Sequence, residues 1–288
     1  MSKRLLVGLL GANIGQSLAP ALHEDAAAAA GMVGHYHLMD VDGPRPRTLP
    51  ELLAAVRTAG FAGVNVTFPF KEAVIPLLDE VSPEAAEIGA VNTVVFDPAG
   101  RSTGHNTDRS GFRAAFLAAF GADAVRGKAV LQLGAGGAGR AVAFALRDLG
   151  VSSLRLYDRD TRRARNLCAD LGGNCEVLDA PEPAAASVAG IVNATPIGMT
   201  GHDGLPMTPE VVQPHQVVAD VIYTPLETEF LKAAKAKGAR TMGGAGMCVH
   251  QAVRAFELFA GRTPDLARME RTFIDASTKR DVDREDRS

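Results

Sequence analysis

The chain opens on an apolar run, "RLLVGLL" over 4–10, then breaks at "GANIGQSLAP" before an alanine-rich stretch at 26–30. An apolar run bounded by turn residues predicts a buried strand, and the alanines predict a helix after the loop. The same alternation continues: "HYHLMDV" (35–41) predicts a strand, "LPELLAAVRTAG" (49–60) a helix closed by glycine, "FAGVNV" (61–66) a strand, and 70–79 a further helical segment. "VNTVVF" and "RSTGHN" flank "DPAG", which has the composition of a hairpin turn. From about residue 110 a second series begins, with short candidate strands at 128–133, 154–158, 175–179, 190–194, 217–222 and 239–242. Strands alternating with helices predict largely parallel sheets, and six strands is the number of a doubly wound dinucleotide fold. Two amphipathic stretches, 247–261 and 264–276, predict helices that return to the first domain, and the polar stretch 277–288 predicts a disordered tail.

The expected fold class is therefore α/β. An N-terminal substrate domain would span 1–109 and be completed by 246–276, and a Rossmann-type doubly wound domain would span 110–245. A chain of 288 residues, 47% hydrophobic, supplies core enough for both. Its 30 basic and 33 acidic residues leave a net charge of -3 with no basic stripe, which points away from nucleic acid and anionic membranes and toward a small-molecule partner. The apolar opening is too short to span a membrane and is broken by glycine, so a cytoplasmic protein is expected. Cys168, Cys175 and Cys248 are odd in number and lack CxxC spacing, which predicts packing roles rather than a disulfide. The seven histidines show no ligand spacing, and no metal site is expected.

Candidate chemistry begins at "LGAGGAGRA", where Gly134, Gly136 and Gly139 fall in GxGxxG spacing between a predicted strand and a predicted helix. Glycines there permit a tight turn and close backbone approach, and the helix N-terminus offers unpaired N–H groups to a pyrophosphate. Gly137 and Ala138 complete this cofactor loop. Asp158 closes the next strand, 24 residues after Gly134, where a carboxylate can bond the adenosine ribose hydroxyls and so favours NAD. Arg159 follows it, beside the expected adenine, and could partly offset a 2′-phosphate, so NADP stays open. Arg162 and Arg163 are expected in a solvated first helical turn.

In the first domain, "NVTFPFKEAV" places Asn65 and Thr67 on one face of a strand end, with Lys71 beyond Pro69. "GAVNTV" adds Asn92, and "GHNTD" adds Asn106, Thr107 and Asp108. Gathered in a cleft between the domains, these groups would suit a polyhydroxylated acid. At this point the chain resembles the shikimate dehydrogenase family, above all its quinate/shikimate branch. The resemblance runs from "GANIGQSLAP" through "NVTFPFK", "GAVNTV", "GHNTD", "GAGGAGRA", "NATPIGM" and "DVIYTPLETEFL" to "MCVHQA". It implies that Lys71 and Asp108 form the catalytic pair, and that Ser17, Asn65, Thr67, Asn92, Tyr223 and Gln251 hold the substrate's carboxylate and hydroxyls. It also implies that Thr195, Gly244 and Met247 meet the nicotinamide end of the cofactor. The reaction implied is reversible hydride transfer between shikimate and 3-dehydroshikimate, or quinate and 3-dehydroquinate.

One departure bears on the substrate. The family loop normally carries two hydroxyl residues separated by one position, whereas "SLAP" has Ser17 and then Ala19. Loss of a donor to a carboxylate weakens binding by ~1.5–3 kcal/mol unless another group compensates or the preferred acid differs. Glu229, where many shikimate dehydrogenases have proline, agrees with the quinate/shikimate branch. Two alternatives stand beside the leading expectation: an NADP-dependent or aminoshikimate-type enzyme, and a cofactor-binding sensor without turnover. Intact Lys71 and Asp108 argue against the sensor, which needs no proton-transfer pair.

Overall fold

The computed structural model describes residues 3–42 and 47–285. The chain divides into two compact units, Met1–Thr107 with Val249–Ser288, and Asp108–Cys248. The first contains strands β1 (Arg4–Gly11), β2 (Val33–Asp40), β3 (Gly63–Val66), β4 (Glu80–Val81), β5 (Thr93–Phe96) and β6 (Ser102–His105), with helices α1 (Ala19–Ala29), α2 (Leu49–Thr58) and α3 (Pro83–Ile88). Its sheet order is β2-β1-β3-β5-β6-β4. The β1, β2 and β3 strands run parallel, while β5 is antiparallel to both β3 and β6. A core of Leu10, Val64, Val66 and Val94 packs against Leu52, Leu53 and Val56 of α2. That helix starts at Thr48, whose Oγ1 accepts from Glu51 N while Glu51 Oε2 accepts from Thr48 N, a reciprocal cap that satisfies two orphan donors. The helix expected at 70–79 is reduced to one 3-10 turn, Ile75–Leu77. Pro76 sits inside it, lacks the N–H that an α-helix would use, and crowds the preceding turn.

The second unit contains α4 (Asp108–Phe120), β7 (Ala129–Leu133), α5 (Gly137–Asp148), β8 (Ser153–Tyr157), α6 (Thr161–Leu171), β9 (Cys175–Val177), α7 (Glu182–Ala185), β10 (Gly190–Asn193), β11 (Val217–Asp220), α8 (Glu229–Ala236) and β12 (Arg240–Met242). All its strands are parallel, in the order β12-β11-β10-β7-β8-β9. This is the doubly wound order, with the reversal between β7 and β10. Leu131, Leu133, Ile191 and Val218 of the strands pack on Phe230 and Leu231 of α8. The expectation of unpaired cysteines fails here: Cys168 of α6 and Cys175 of β9 form a disulfide, with Cα atoms 5.2 Å apart. The chain reverses from helix to strand within the intervening residues, so two cysteines without a recognised spacing meet. Cys248 is free.

The last helices, α9 (Ala245–Ala260) and α10 (Leu266–Glu285), close the described chain. From Val249 onward they belong to the first unit. Gly63 of β3 makes room for α9, since a Cβ there would lie 2.5 Å from the Phe259 ring. Arg268 of α10 donates to both carboxylate oxygens of Asp25 in α1 at 2.8 and 2.7 Å, and Thr272 Oγ1 donates to the same group at 2.9 Å. The tail expected to be disordered from 277 is instead helical to Glu285; 286–288 lie outside the described residues. Ser277 and Arg280 are buried on one face of α10. A small hydroxyl residue and an arginine stem fill space that the sequence pattern marks as polar.

Candidate active site

In the first unit, polar side chains collect at the carboxyl ends of β1 and β3. Asp40, at the end of β2, ties down the loop after β1: its carboxylate accepts from Asn13 N at 3.1 Å and Ile14 N at 2.9 Å. Ser17 in this loop is half-buried, and its Oγ accepts from Ala19 N at 3.3 Å. Ala19 is the first residue of α1, whose N-terminus carries no side-chain cap and no acid in its first turn. Ala19 N–H is taken by Ser17 Oγ and Pro20 has none, so the helix start favours an incoming carboxylate through its dipole rather than through these two amides.

Asn65, nearly buried in β3, joins a continuous hydrogen-bond network. Its Nδ2 donates to Asn92 O at 3.3 Å and to Thr93 Oγ1 at 3.0 Å, and its Oδ1 accepts from Tyr36 at 2.9 Å. Asn92 Oδ1 accepts from Thr93 Oγ1 and from Thr107 N, while Asn92 Nδ2 donates to Thr107 Oγ1. Thr107 Oγ1 also lies 3.4 Å from Gln251 Oε1 of α9. Asn65, Asn92 and Gln251, far apart in sequence, are thus brought together. Thr67 follows β3, its N–H bonded to Leu10 O at 2.9 Å, and a cis Phe68–Pro69 bond comes next. Lys71 is half-buried, and its carbonyl accepts from Val91 N at 2.8 Å, which fixes its backbone beside Asn92.

In the second unit, Asp108 opens α4 and is nearly buried, and Tyr223 is half-buried in the loop after β11. The glycine loop fits a dinucleotide on its own geometry. Gly134 has φ 100°, and a Cβ there would lie 2.7 Å from Ala194 O. A Cβ on Gly139 would meet the Gly134 carbonyl, whereas a Cβ on Gly136 would enter open space. Gly136 caps α5 without a side-chain bond, and Gly137, Ala138 and Gly139 form that helix's first turn, which carries no acid. Close packing on one side and open backbone on the other are what an approaching pyrophosphate requires. Gln132, fully buried in β7, clamps this loop by donating from Nε2 to Gly134 O and Gly139 O, both at 2.8 Å.

Asp158 stands just past β8, with Oδ2 accepting from Ala135 N at 2.7 Å and Oδ1 from Asp160 N at 2.8 Å. These bonds hold the carboxylate against the glycine loop. Arg159 beside it is exposed. Arg162 and Arg163 are exposed as well and lie 3.7 and 3.6 Å from the Asp160 carboxylate.

Thr195 is set by Asn193, whose Oδ1 accepts from Thr195 N at 3.0 Å and Thr195 Oγ1 at 2.7 Å. Asn193 is in turn held by Asp220, which accepts from Asn193 Nδ2 at 3.1 Å, Thr228 Oγ1 at 2.9 Å and Ile222 N at 3.0 Å. Burial pushes the Asp220 carboxyl above its usual value. Gly244 lies against the Val221 carbonyl, leaving no room for a Cβ, and Met247 is buried in the first turn of α9.

The sequence reading missed Tyr36, Asp40, Thr93, Gln132, Asn193 and Asp220 as organising residues. Gln132, Asn193 and Asp220 carried a usable signal. Each is a polar residue inside an otherwise apolar buried strand, and such a group must find partners.

A mixed sheet that assembles amides and hydroxyls, together with a doubly wound sheet built to receive a dinucleotide, defines a two-domain dehydrogenase. Residues 9–94 match the shikimate dehydrogenase substrate binding domain, and residues 244–272 the shikimate 5′-dehydrogenase C-terminal domain. The chain is 47% identical to a quinate/shikimate dehydrogenase (NAD(+)) of Corynebacterium efficiens, over 94% of this chain and 98% of that protein. It is 48% identical to a shikimate dehydrogenase (NADP(+)) of Streptomyces avermitilis, over 92% and 93%. Among solved structures, quinate dehydrogenase from Corynebacterium glutamicum in complex with NAD matches with a TM-score of 0.90 at 43% identity, covering 95% of this chain and all of that one. The chain belongs to the shikimate dehydrogenase family.

Proposed function

We propose that this protein is a dehydrogenase of shikimate, and of quinate, that prefers NAD over NADP. The observation that carries the cofactor preference is Asp158. Its carboxylate is pinned against the glycine loop by Ala135 N and Asp160 N, in position to accept from ribose hydroxyls. A 2′-phosphate would set a dianion beside it, and Arg162 and Arg163 already face Asp160. The second reading, NADP use, draws on exposed Arg159 and on the similarity to the Streptomyces protein.

When bound, the nicotinamide supplies a hydride acceptor for the ring carbinol carbon. The chain's own residues handle the rest. Ser17 and the uncapped start of α1 hold the carboxylate; Asn65, Thr67, Asn92, Tyr223 and Gln251 hold the ring oxygens. Lys71 accepts the hydroxyl proton as the carbinol is oxidised and returns it in reduction, while Asp108 accepts a hydrogen bond from a ring hydroxyl and orients the lysine.

The deciding experiment is a steady-state comparison of shikimate and quinate, each with NAD and NADP, on the wild type and on Lys71→Ala. We expect kcat/KM to be highest with NAD, and Lys71→Ala to cut kcat by ~10²–10⁴ with little change in KM. Higher kcat/KM with NADP overturns the cofactor preference, and unchanged turnover in the variant overturns the role of Lys71.

A further inference from the structure

The network around Asn65 has a direction. Both amide hydrogens are committed, one to Asn92 O and one to Thr93 Oγ1. Thr93 can accept because its own hydrogen goes to Asn92 Oδ1 at 3.0 Å. On the other side Asn65 Oδ1 takes the Tyr36 hydroxyl. The amide cannot be turned over, because that would set Asn65 Oδ1 against the Asn92 carbonyl, acceptor against acceptor. An amide oxygen has two lone pairs, so Asn65 retains one acceptor site and no donor.

Tyr36 is built to keep that arrangement. It lies on β2, and the register Val7↔Tyr36 and Leu9↔Asn65 puts it on the same sheet face as Asn65, two strands away. Its ring is buried and stacked on His23 of α1, centroids 4.9 Å apart and planes within 22°. Phe256 and Phe259 of α9 enclose His23 in turn. The phenol is thereby aimed along the sheet face at a side chain in the proposed substrate site.

We propose that Tyr36 is a positioning residue: with both Asn65 amide hydrogens held by Asn92 O and Thr93 Oγ1, its phenol takes one lone pair of Asn65 Oδ1 and leaves the other as the single acceptor offered to substrate, so that this point of the site selects a ring hydroxyl and rejects a group that can only accept. The inference rests on the proposed substrate role of Asn65. Asn92 has the opposite character. Its Oδ1 accepts from Thr93 and Thr107, and one Nδ2 hydrogen goes to Thr107, leaving a hydrogen to donate. An acceptor and a donor set side by side discriminate the orientation of a polyol ring in a way that two unconstrained amides do not.

The test is a double-mutant cycle on the full-length protein with shikimate and NAD: wild type, Tyr36→Phe, Asn65→Ala and the double variant, with NAD KM and thermal melting as controls. Tyr36→Phe and Asn65→Ala should each raise shikimate KM ~5- to 30-fold, the scale of one lost hydrogen bond, with NAD KM unchanged. The double variant should match Asn65→Ala alone. A shikimate analogue with fluorine in place of a ring hydroxyl should be rejected less by Asn65→Ala than by wild type. If Asn65→Ala raises shikimate KM and Tyr36→Phe does not, or if the two effects add, the positioning role of Tyr36 is overturned while the site reading stands. An unchanged KM in Asn65→Ala overturns the substrate role of Asn65 itself. Should Tyr36→Phe fail to fold, isosteric Thr93→Val removes the partner on the other side of the amide and must raise shikimate KM in the same way.

Discussion

His23 shows how much one side chain can be asked to give up. It is buried against Tyr36, Phe256 and Phe259, its Nδ1 has no hydrogen-bond partner, and burial pushes its pKa down from 6.5 to about 3. The unfolded chain binds a proton near pH 6.5 and the folded chain does not until about pH 3. The stability linked to this group is therefore complete above pH 6.5 and drains as pH falls toward 3, at about 1.4 kcal/mol per pH unit. In urea titrations at pH 7 and pH 5, wild type should lose about 2 kcal/mol more stability than His23→Leu. Equal losses would mean that the acid sensitivity lies elsewhere. Nothing in the scattered histidines of the sequence marked this one as buried. Its neighbours come from β2 and α9, over two hundred residues apart in the last case. Asn65 and Asn92 stood out in the sequence as amides beside recognisable strands, and the structure joins them in one hydrogen-bond network. Tyr36 did not stand out, because its partner lies two strands away and only the register reveals it.

Elements translate such local bonds into the placement of loops. The segments after β10 and β11 are tied together by Asp220, which holds Asn193 and through it Thr195 on one side, and Ile222 N and the α8 cap Thr228 on the other. Asp220→Asn puts an amide hydrogen where only acceptors serve. We expect NAD KM to rise ~10-fold, the scale of one buried unsatisfied polar group, together with a lower melting temperature. A lower melting temperature with unchanged NAD KM would confine Asp220 to holding the fold. The six strands of this unit were readable because buried parallel strands are short apolar runs between turn residues. The segment 70–79 was misread because the helical pattern there outweighed Pro76. The Cys168–Cys175 disulfide depends on where the chain turns, which no cysteine spacing records.

At the scale of the molecule, the first unit is written on two stretches of chain and the second on one. The returning helices are part of the first unit's fabric: Arg268 and Thr272 grip Asp25, and Met269, Phe273 and Ser277 are buried along α10. Ending the chain after Ala276 removes buried Ser277 and Arg280 and should lower the melting temperature by ~2–4 °C for each kcal/mol lost. An unchanged melting curve would show that the last turns add nothing. The composition of that stretch suggested disorder because charged residues outnumber apolar ones, yet a helix already anchored upstream needs only a narrow small-residue face to continue. The split also orders events on the ribosome. The 141 residues from Asp108 to Cys248 emerge before the helices that complete the first unit, a wait of roughly 7–30 s at common elongation rates. During that interval the nascent β3 face, where Gly63 awaits Phe259, lacks its cover, an exposed apolar surface of the kind that chaperones shield.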